Sequence, residues 1–492
     1  MNAKIIKQLK QNKRCKGKKQ ATLWYSIKFC IFICIIMNEL TNQRTALIIS
    51  TLSSFATPFM LSSLNVALPS IGKEFGLDAI ALGWVATSYI LAAAIFLIPF
   101  GKLADIHGRK KIFVYGVSVY SFFSLLIVSS TSGLTLIVYR ALQGIGAAMV
   151  FGTGVAILTS VTPPSRRGRV LGINVASVYL GLSLGPFIGG MLTQHLGWKS
   201  IFYINFILGV IIIIITKWKL KGEWAEAKGD KFDLTGSILF SIALLLLIYG
   251  SSNLPQSAGT YMIFAGILSV VLFILWERRI PNPVLNIRLF TENTVFAFSN
   301  IAALINYSAT SAVTFLLSLY LQYVKGLTPQ MAGLVLVVQP VFMAVISPFS
   351  GRLSDKIEPR ILASMGMALT VIGLLLFISI GTDTSISFII VDLIFLGIGF
   401  GLFSSPNQNA VMSSVPKEVY GVASATLGTM RLTGQMLSMG IVMLLFSLSI
   451  GRSQITAELY PQFVNSMRLA FIIFASLCLA GIFASLARGK VR

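Results

Sequence analysis

The chain has 492 residues, of which 55% are apolar and 11% charged, against roughly 25% charged residues in an ordinary soluble domain. This balance excludes a disordered chain, a collagen-like fibre and a soluble multidomain enzyme. The formal charge of +23 suits either nucleic-acid contact or membrane topology, so the placement of the cations decides between them.

Residues 1–43 form a basic tail. Lys4 to Lys19 is a cationic run, and Ile27 to Ile36 has the length of a signal-peptide apolar core, but no small-residue cleavage site follows. Met37 reads as an alternative start; otherwise the stretch is a basic interfacial segment. Crossing a bilayer takes about 20 mainly apolar residues. That rule predicts fourteen spans, at 47–67, 81–100, 112–130, 134–160, 170–191, 200–216, 234–250, 260–276, 295–321, 330–349, 361–380, 386–410, 420–448 and 465–487.

The cations test this assignment independently. With the N-terminus inside, 32 of the 39 Lys and Arg fall in inside loops and tails and five outside, Arg468 at the outer end of the last span among them, while Arg140 and Arg431 lie deep within spans. Such asymmetry is the mark of cytoplasmic loops. It assigns the charge to topology, places both termini in the cytoplasm of a multi-pass cell-membrane protein, and leaves no case for a nucleic-acid partner. Cys15, Cys30, Cys34 and Cys478 show no paired spacing and the histidines are His107 and His195, so neither a zinc site nor a disulfide framework is expected.

An internal repeat divides the chain. Gly101-Lys-Leu-Ala-Asp105 recurs as Gly351-Arg-Leu-Ser-Asp355, and Gly144-Ile-Gly146 as Gly397-Ile-Gly399. The repeat predicts an all-α membrane protein with a six-helix bundle over 44–217, an inserted pair of spans within 218–294, and a second bundle with a short tail over 295–492. Spans 7 and 8 carry no Lys, Arg, Asp or Glu before Glu277, which suggests lipid contact rather than transport.

Four motifs follow in chain order. Gly101, Asp105, Gly108 and Arg109 build a tight turn with an acid among cations. In span 4, Arg140 precedes Gln143 and Gly144; an arginine at this depth is expensive and calls for a cavity or an acid, or else a structural partner. Span 5 carries Gly181, Gly185, Pro186, Gly189 and Gly190, a closely packed and bent helix. A further run, Gly197-Trp198 to Asn205, follows it.

These runs resemble motifs A, B and C of the major facilitator superfamily and, with fourteen spans and Trp84 to Tyr89, its 14-helix drug/proton antiporter family. The resemblance implies a major facilitator fold and export of lipophilic, often cationic compounds by alternating access, with the proton gradient as energy source and no cofactor. It implies a small lipophilic substrate, protons as the coupling partner, and a cavity lined by helices 1, 4, 9 and 12. Motif C is associated with antiport, and the motif B arginine with proton transfer. One position departs from the pattern: the family's span 1 aspartate is Met60 here, ahead of Asn65-Val-Ala-Leu-Pro69.

Asp392 in span 12 is the clear acid of the spans. It matches Arg140 through the repeat, so it either faces Arg140 across the cavity as a proton-coupling pair or sits among headgroups with water. Arg431 in span 13 either bonds the motif A acids or backbone, or serves the role of a family arginine. Asn300, Asn306, Tyr307 and Asn407 are candidate substrate contacts, each also readable as a packing hydrogen bond. The chain is expected to act as a monomer. The alternatives are a symporter or exporter of a specific metabolite, lipid or peptide, and a membrane-embedded enzyme or scaffold. An enzyme is disfavoured by the lack of clustered acids, histidines or metal ligands, and no Gly-rich loop ending in Lys-Ser or Lys-Thr points to ATP drive.

Overall fold

A computed structural model describes residues 18–163, 167–229, 231–281, 283–354, 356–416, 420–451 and 453–489, with side chains from Asn42 onward except at 167–169 and 420–421. Asp355 lies outside the described residues. Backbone polar groups have no water to bond inside a bilayer, so spanning segments close their hydrogen bonds within helices. Fourteen helices among the described residues are long and apolar enough to cross. They are α1 (Asn42–Phe75), α2 (Ala79–His107), α3 (Arg109–Val128), α4 (Gly133–Val161), α5 (Val170–Leu196), α6 (Lys199–Lys219) and α7 (Leu234–Ser252). The series continues with α8 (Ser257–Glu277), α9 (Thr294–Val324), α10 (Pro329–Leu353), α11 (Pro359–Ser379), α12 (Ile386–Ser413), α13 (Val422–Ser449) and α14 (Ala457–Ala487). α1 is the spanning part of a helix that starts at Lys18.

Short polar residues start these helices by accepting the orphan amides of the first turn. Asp78 takes the Ala81 amide at 2.6 Å, Asn293 that of Phe296 at 2.9 Å, and Ser132 forms a reciprocal capping box with Thr135. Two helices are broken. In a continuous helix the Pro340 ring would clash with the Leu336 carbonyl, and α10 is interrupted at Val337. α9 breaks at Ser311, where the freed Ala312 amide is taken by the Ser438 hydroxyl of α13 at 3.0 Å.

The packing repeats as the sequence does. α1 lies on α5, α2 and α3 on α4, and α3 on α6; the same pairs recur as α9 with α13, α10 and α11 with α12, and α11 with α14. Glycines permit the closest approaches. A Cβ on Gly146 would meet the Gly116 carbonyl at 2.8 Å, and one on Gly399 the Gly366 carbonyl at 2.8 Å. The halves meet where α2 packs on α13 and α5 on α10.

The inserted pair packs on the seam between the halves through one of its helices. α7 leans across α2 and α13, burying Leu244 and Ile248 and placing Tyr249 5.8 Å from Trp84. Both helices keep an apolar outer face, with Ile238 47% and Leu245 48% exposed on α7 and Tyr261 74% and Phe264 67% exposed on α8.

Candidate functional site

At mid-height between the halves lies a cavity of about 900 Å³, its mouth included. Its walls come from α1, α2, α5, α9, α10, α12 and α13; Tyr307, Thr310, Ser311 and Thr314 flank the break in α9. Broken helices at a midplane site expose backbone and hydroxyl groups to a ligand without opening them to lipid. Three amides reach the lining, Asn65, Gln339 and Gln435, and no charged residue does among the described residues. The Gln435 carbonyl oxygen is buried without a partner. α1, α9 and α12 line the cavity as expected; α4 does not, because its glycine face is pressed against α2 and α3.

The end away from the Arg109 loop is closed. Ser318 donates to the Asn65 carbonyl at 2.6 Å and Gln322 to the Val66 carbonyl at 2.9 Å. Gln454 donates to the Gly76 carbonyl at 3.0 Å, and a Cβ on Gly190 would strike the Pro329 backbone. Towards the Arg109 end, Tyr179 of α5 donates to Ser404 of α12 at 3.2 Å across the halves.

The span 5 motif explains part of this geometry. Gly181, Gly185 and Gly189 let α5 ride on α1, where an added Cβ would meet the Phe55 carbonyl at 2.5 Å, Ser62 at 2.6 Å and Ser63 at 2.5 Å. Pro186 lines the cavity and faces Gly333 of α10. The motif therefore sits at the seam between the halves.

Arg140 is fully buried. Its guanidinium donates to Gln143 at 2.6 Å and to the Val85 carbonyl at 3.3 Å, stands 4.4 Å over the Tyr89 ring, and keeps one nitrogen unpartnered. Gln143 passes the chain on to Ser124 at 2.7 Å. Gly144 brings α4 against the Tyr89 backbone, which holds the arginine over the ring. Close by in the same half, Tyr120 donates to Asn205, and the Asn205 amide reaches the Met60 sulfur at 3.1 Å. Met60 thus fills a polar, buried position.

Asp392 does not face Arg140. Its carboxylate is 1% exposed, lies 3.0 Å from where a Cβ on Gly373 of α11 would stand, and has no hydrogen-bond partner on either oxygen. The expected pairing and the headgroup placement are both corrected: Arg140 and Asp392 turn into their own halves, towards α2 and α11, and burial removes Asp392 from headgroup water. Arg431 donates to Gln408 at 3.1 Å and stands 5.7 Å from the Tyr307 ring, both in its own half, and makes no bond to motif A among the described residues.

Of the four candidate contacts, Tyr307 lines the cavity. Asn300 and Asn306 are fully buried outside the lining, Asn300 donating to the Phe296 carbonyl at 2.9 Å. Asn407 accepts from Arg488 at 3.0 Å and donates to the Ser299 carbonyl at 3.1 Å. Arg488 is itself fully buried, bonded also to Ser299 and Ser485. It follows the last span directly, so its burial was invisible to a hydropathy count.

Motif A holds together as a loop clamp. Gly108 has φ 116, a conformation that L side chains rarely adopt. Arg109 bonds Asp105 at 2.8 Å, Ser160 at 2.6 Å and Glu226 through two nitrogens at 2.8 and 3.0 Å. Gly101 faces open space. Glu223 accepts the Lys110 amide at 2.7 Å. Glu223 and Glu226 complete this clamp and were not singled out in the sequence, where they stand three residues apart in a loop of mixed acids and lysines.

A model of the Major Facilitator Superfamily matches residues 50–439 and 299–490. The chain is 30% identical over 439 residues to a riboflavin transporter of Clostridioides difficile, covering 89% of this chain and 95% of the relative. It is 31% identical over 465 residues to a cephamycin export protein of Amycolatopsis lactamdurans, covering 92% and 94%. Among solved structures, a bacterial homolog to the human lysosomal transporter Spinster, in an inward-facing and unoccupied conformation, superposes with a TM-score of 0.67 at 15% identity, over 92% of this chain and 97% of that one. On sequence match and fold together, the chain is a multi-pass membrane transporter and belongs to the major facilitator superfamily.

Proposed function

We propose that this transporter exports uncharged, amphipathic organic compounds from the cytoplasm in exchange for protons, with the Arg109 end cytoplasmic. The observation that carries the reading is the cavity: amide, hydroxyl and aromatic groups from both halves, no charged residue in the lining among the described residues, and a closed far end. Lipophilic substrates fit these walls; the cationic preference implied by family resemblance does not, since Met60 stands where an acid would attract a cation. The lysine and arginine asymmetry supports the sidedness and both termini in the cytoplasm. The resemblance of this chain to a cephamycin export protein supports the direction.

Asp392 is our candidate for the proton carrier. Among the described residues its carboxylate has no hydrogen-bond donor, and a buried carboxylate without a partner is costly. Deprotonation then requires water to enter between α11 and α12, which couples the proton to a change in packing. Arg140, with one free nitrogen in the other half, is the second candidate.

The test is loss of an acid-interior gradient in inside-out vesicles on adding neutral amphiphiles or lipophilic cations. Saturable loss with neutral compounds, absent from Asp392→Asn vesicles holding as much protein, is expected. Loss with cations alone, or full activity of Asp392→Asn, rejects the reading.

A second reading is a carrier dedicated to one neutral, planar metabolite. It is favoured by the three amides in the lining and by the riboflavin transporter among the relatives. Saturable transport of a flavin with no response to unrelated amphiphiles would select it.

A further inference from the structure

The inserted helix pair carries a site that the transport reading does not use. Asp233 caps the start of α7, and Glu277 ends α8 at the same level. Both are more than nine-tenths buried, at 7% and 3% exposure. One oxygen of each, Asp233 Oδ2 and Glu277 Oε1, has no hydrogen-bond partner. The two oxygens converge on one point, the place a Cβ would occupy on Gly236, where it would strike both.

Every other oxygen is satisfied. Asp233 Oδ1 accepts from the Gly236 amide at 2.9 Å and from the Trp276 indole at 3.0 Å. Glu277 Oε2 accepts from the Leu285 amide at 3.1 Å. What the pair lacks is one donor between the facing oxygens.

Among the described residues no cation donates to either facing oxygen. Lys231 before α7, Arg278 and Arg279 after α8, and Arg288 in the linker are exposed. α2 contributes Ile98, which packs with Phe273 and Leu285, and carries Lys102 one turn further along, which makes no hydrogen bond to Asp233 Oδ2 or Glu277 Oε1. Two adjacent buried carboxylates repel in a medium of low dielectric and cannot both ionise, whereas one proton held between them turns the repulsion into a hydrogen bond.

We propose that Asp233 and Glu277 form a proton-binding site, a carboxyl pair sharing one proton, which fastens the α8–α9 linker to the inserted helices through the Glu277 to Leu285 bond. The proton comes from the aqueous phase at this end of the molecule and lies in an O–H···O bond between Oδ2 and Oε1. When it leaves, the two charges push apart and the linker is released. The site stands independently of substrate identity and of Asp392.

The experiment is infrared spectroscopy of the whole protein in lipid at neutral pH, reading the carbonyl band of protonated carboxylic acids. A shared proton predicts that Glu277→Gln and Asp233→Asn each remove the same single band and that the double variant removes no more, while Asp392→Asn leaves that band in place. A spectrum unchanged by Glu277→Gln, or losses that add between the two variants, would overturn the proposal. If a variant does not fold, the wild type still decides through Trp276, whose indole bonds Asp233. Its emission, isolated by subtracting Trp276→Phe, is expected to shift in one step as pH is varied over about 5 to 9; a flat profile overturns the proposal.

Discussion

Ser62 of α1 donates its hydroxyl to the Leu182 carbonyl of α5 at 3.1 Å. That carbonyl is the one Pro186 leaves without its backbone amide, four residues on. Ser63, next in line, donates to the Gly185 carbonyl at 2.9 Å. The bent helix is therefore held by two serines of α1, and its glycines bring the carbonyls within reach.

This pairing yields a graded prediction. Ser62→Ala should lower stability by about 1 kcal/mol, the net worth of one hydrogen bond, and leave transport measurable. Gly189→Val should abolish folding or insertion, because its side chain would occupy the space of Ser63. Thermal unfolding in detergent, with transport in vesicles, distinguishes the two.

Arg140→Lys is expected to behave as a loss of function. An ammonium lacks the planar fork that reaches both Gln143 and the Val85 carbonyl while standing over Tyr89. Transport should fall at least tenfold with protein level retained. Wild-type transport by Arg140→Lys would show that charge alone suffices there.

Glu226→Gln tests the motif A clamp. Its carboxylate is 65% exposed on the side chain, so the static gain from its pair with Arg109 is below about 1 kcal/mol. The expected signature is kinetic: a changed transport rate with nearly unchanged melting temperature. A large drop in melting temperature would instead make the loop part of the folding core.

Gln339→Glu places a carboxylate among uncharged cavity groups. Competition assays should show preference moving from neutral amphiphiles towards lipophilic cations by tenfold or more, about 1.4 kcal/mol. An unchanged preference would mean that substrates do not pass this wall.

Asn407→Ala separates packing from recognition. It removes one partner from the buried Arg488, a loss of about 1 to 3 kcal/mol. Substrate preference should stay constant while melting temperature falls. An altered preference at unchanged stability would restore Asn407 as a substrate contact.

Hydropathy, cation asymmetry and repeated glycine motifs were enough to establish the fourteen helices, the two related halves and the family. These are local or periodic properties: a span needs length and apolarity, a cytoplasmic loop needs cations, and a close crossing needs glycine at fixed spacing. Motif residues Gly144, Gly185 and Pro186 were legible for the same reason, since each acts through its own backbone.

Direction could not be read the same way. Arg140 and Asp392 occupy matching positions, but the rotation of each helix about its axis turns them into separate halves, so a shared register is no evidence of contact. Asn300, Asn306 and Asn407 are polar residues in plausible helices, yet packing turns them away from the cavity and towards neighbouring helices. The cavity amides Gln339 and Gln435, the buried Arg488 and the facing carboxyls of Asp233 and Glu277 each depend on which side chains distant segments bring together. Sequence fixes what each helix is made of; only the packed bundle decides which of its faces meets a substrate, a proton or lipid.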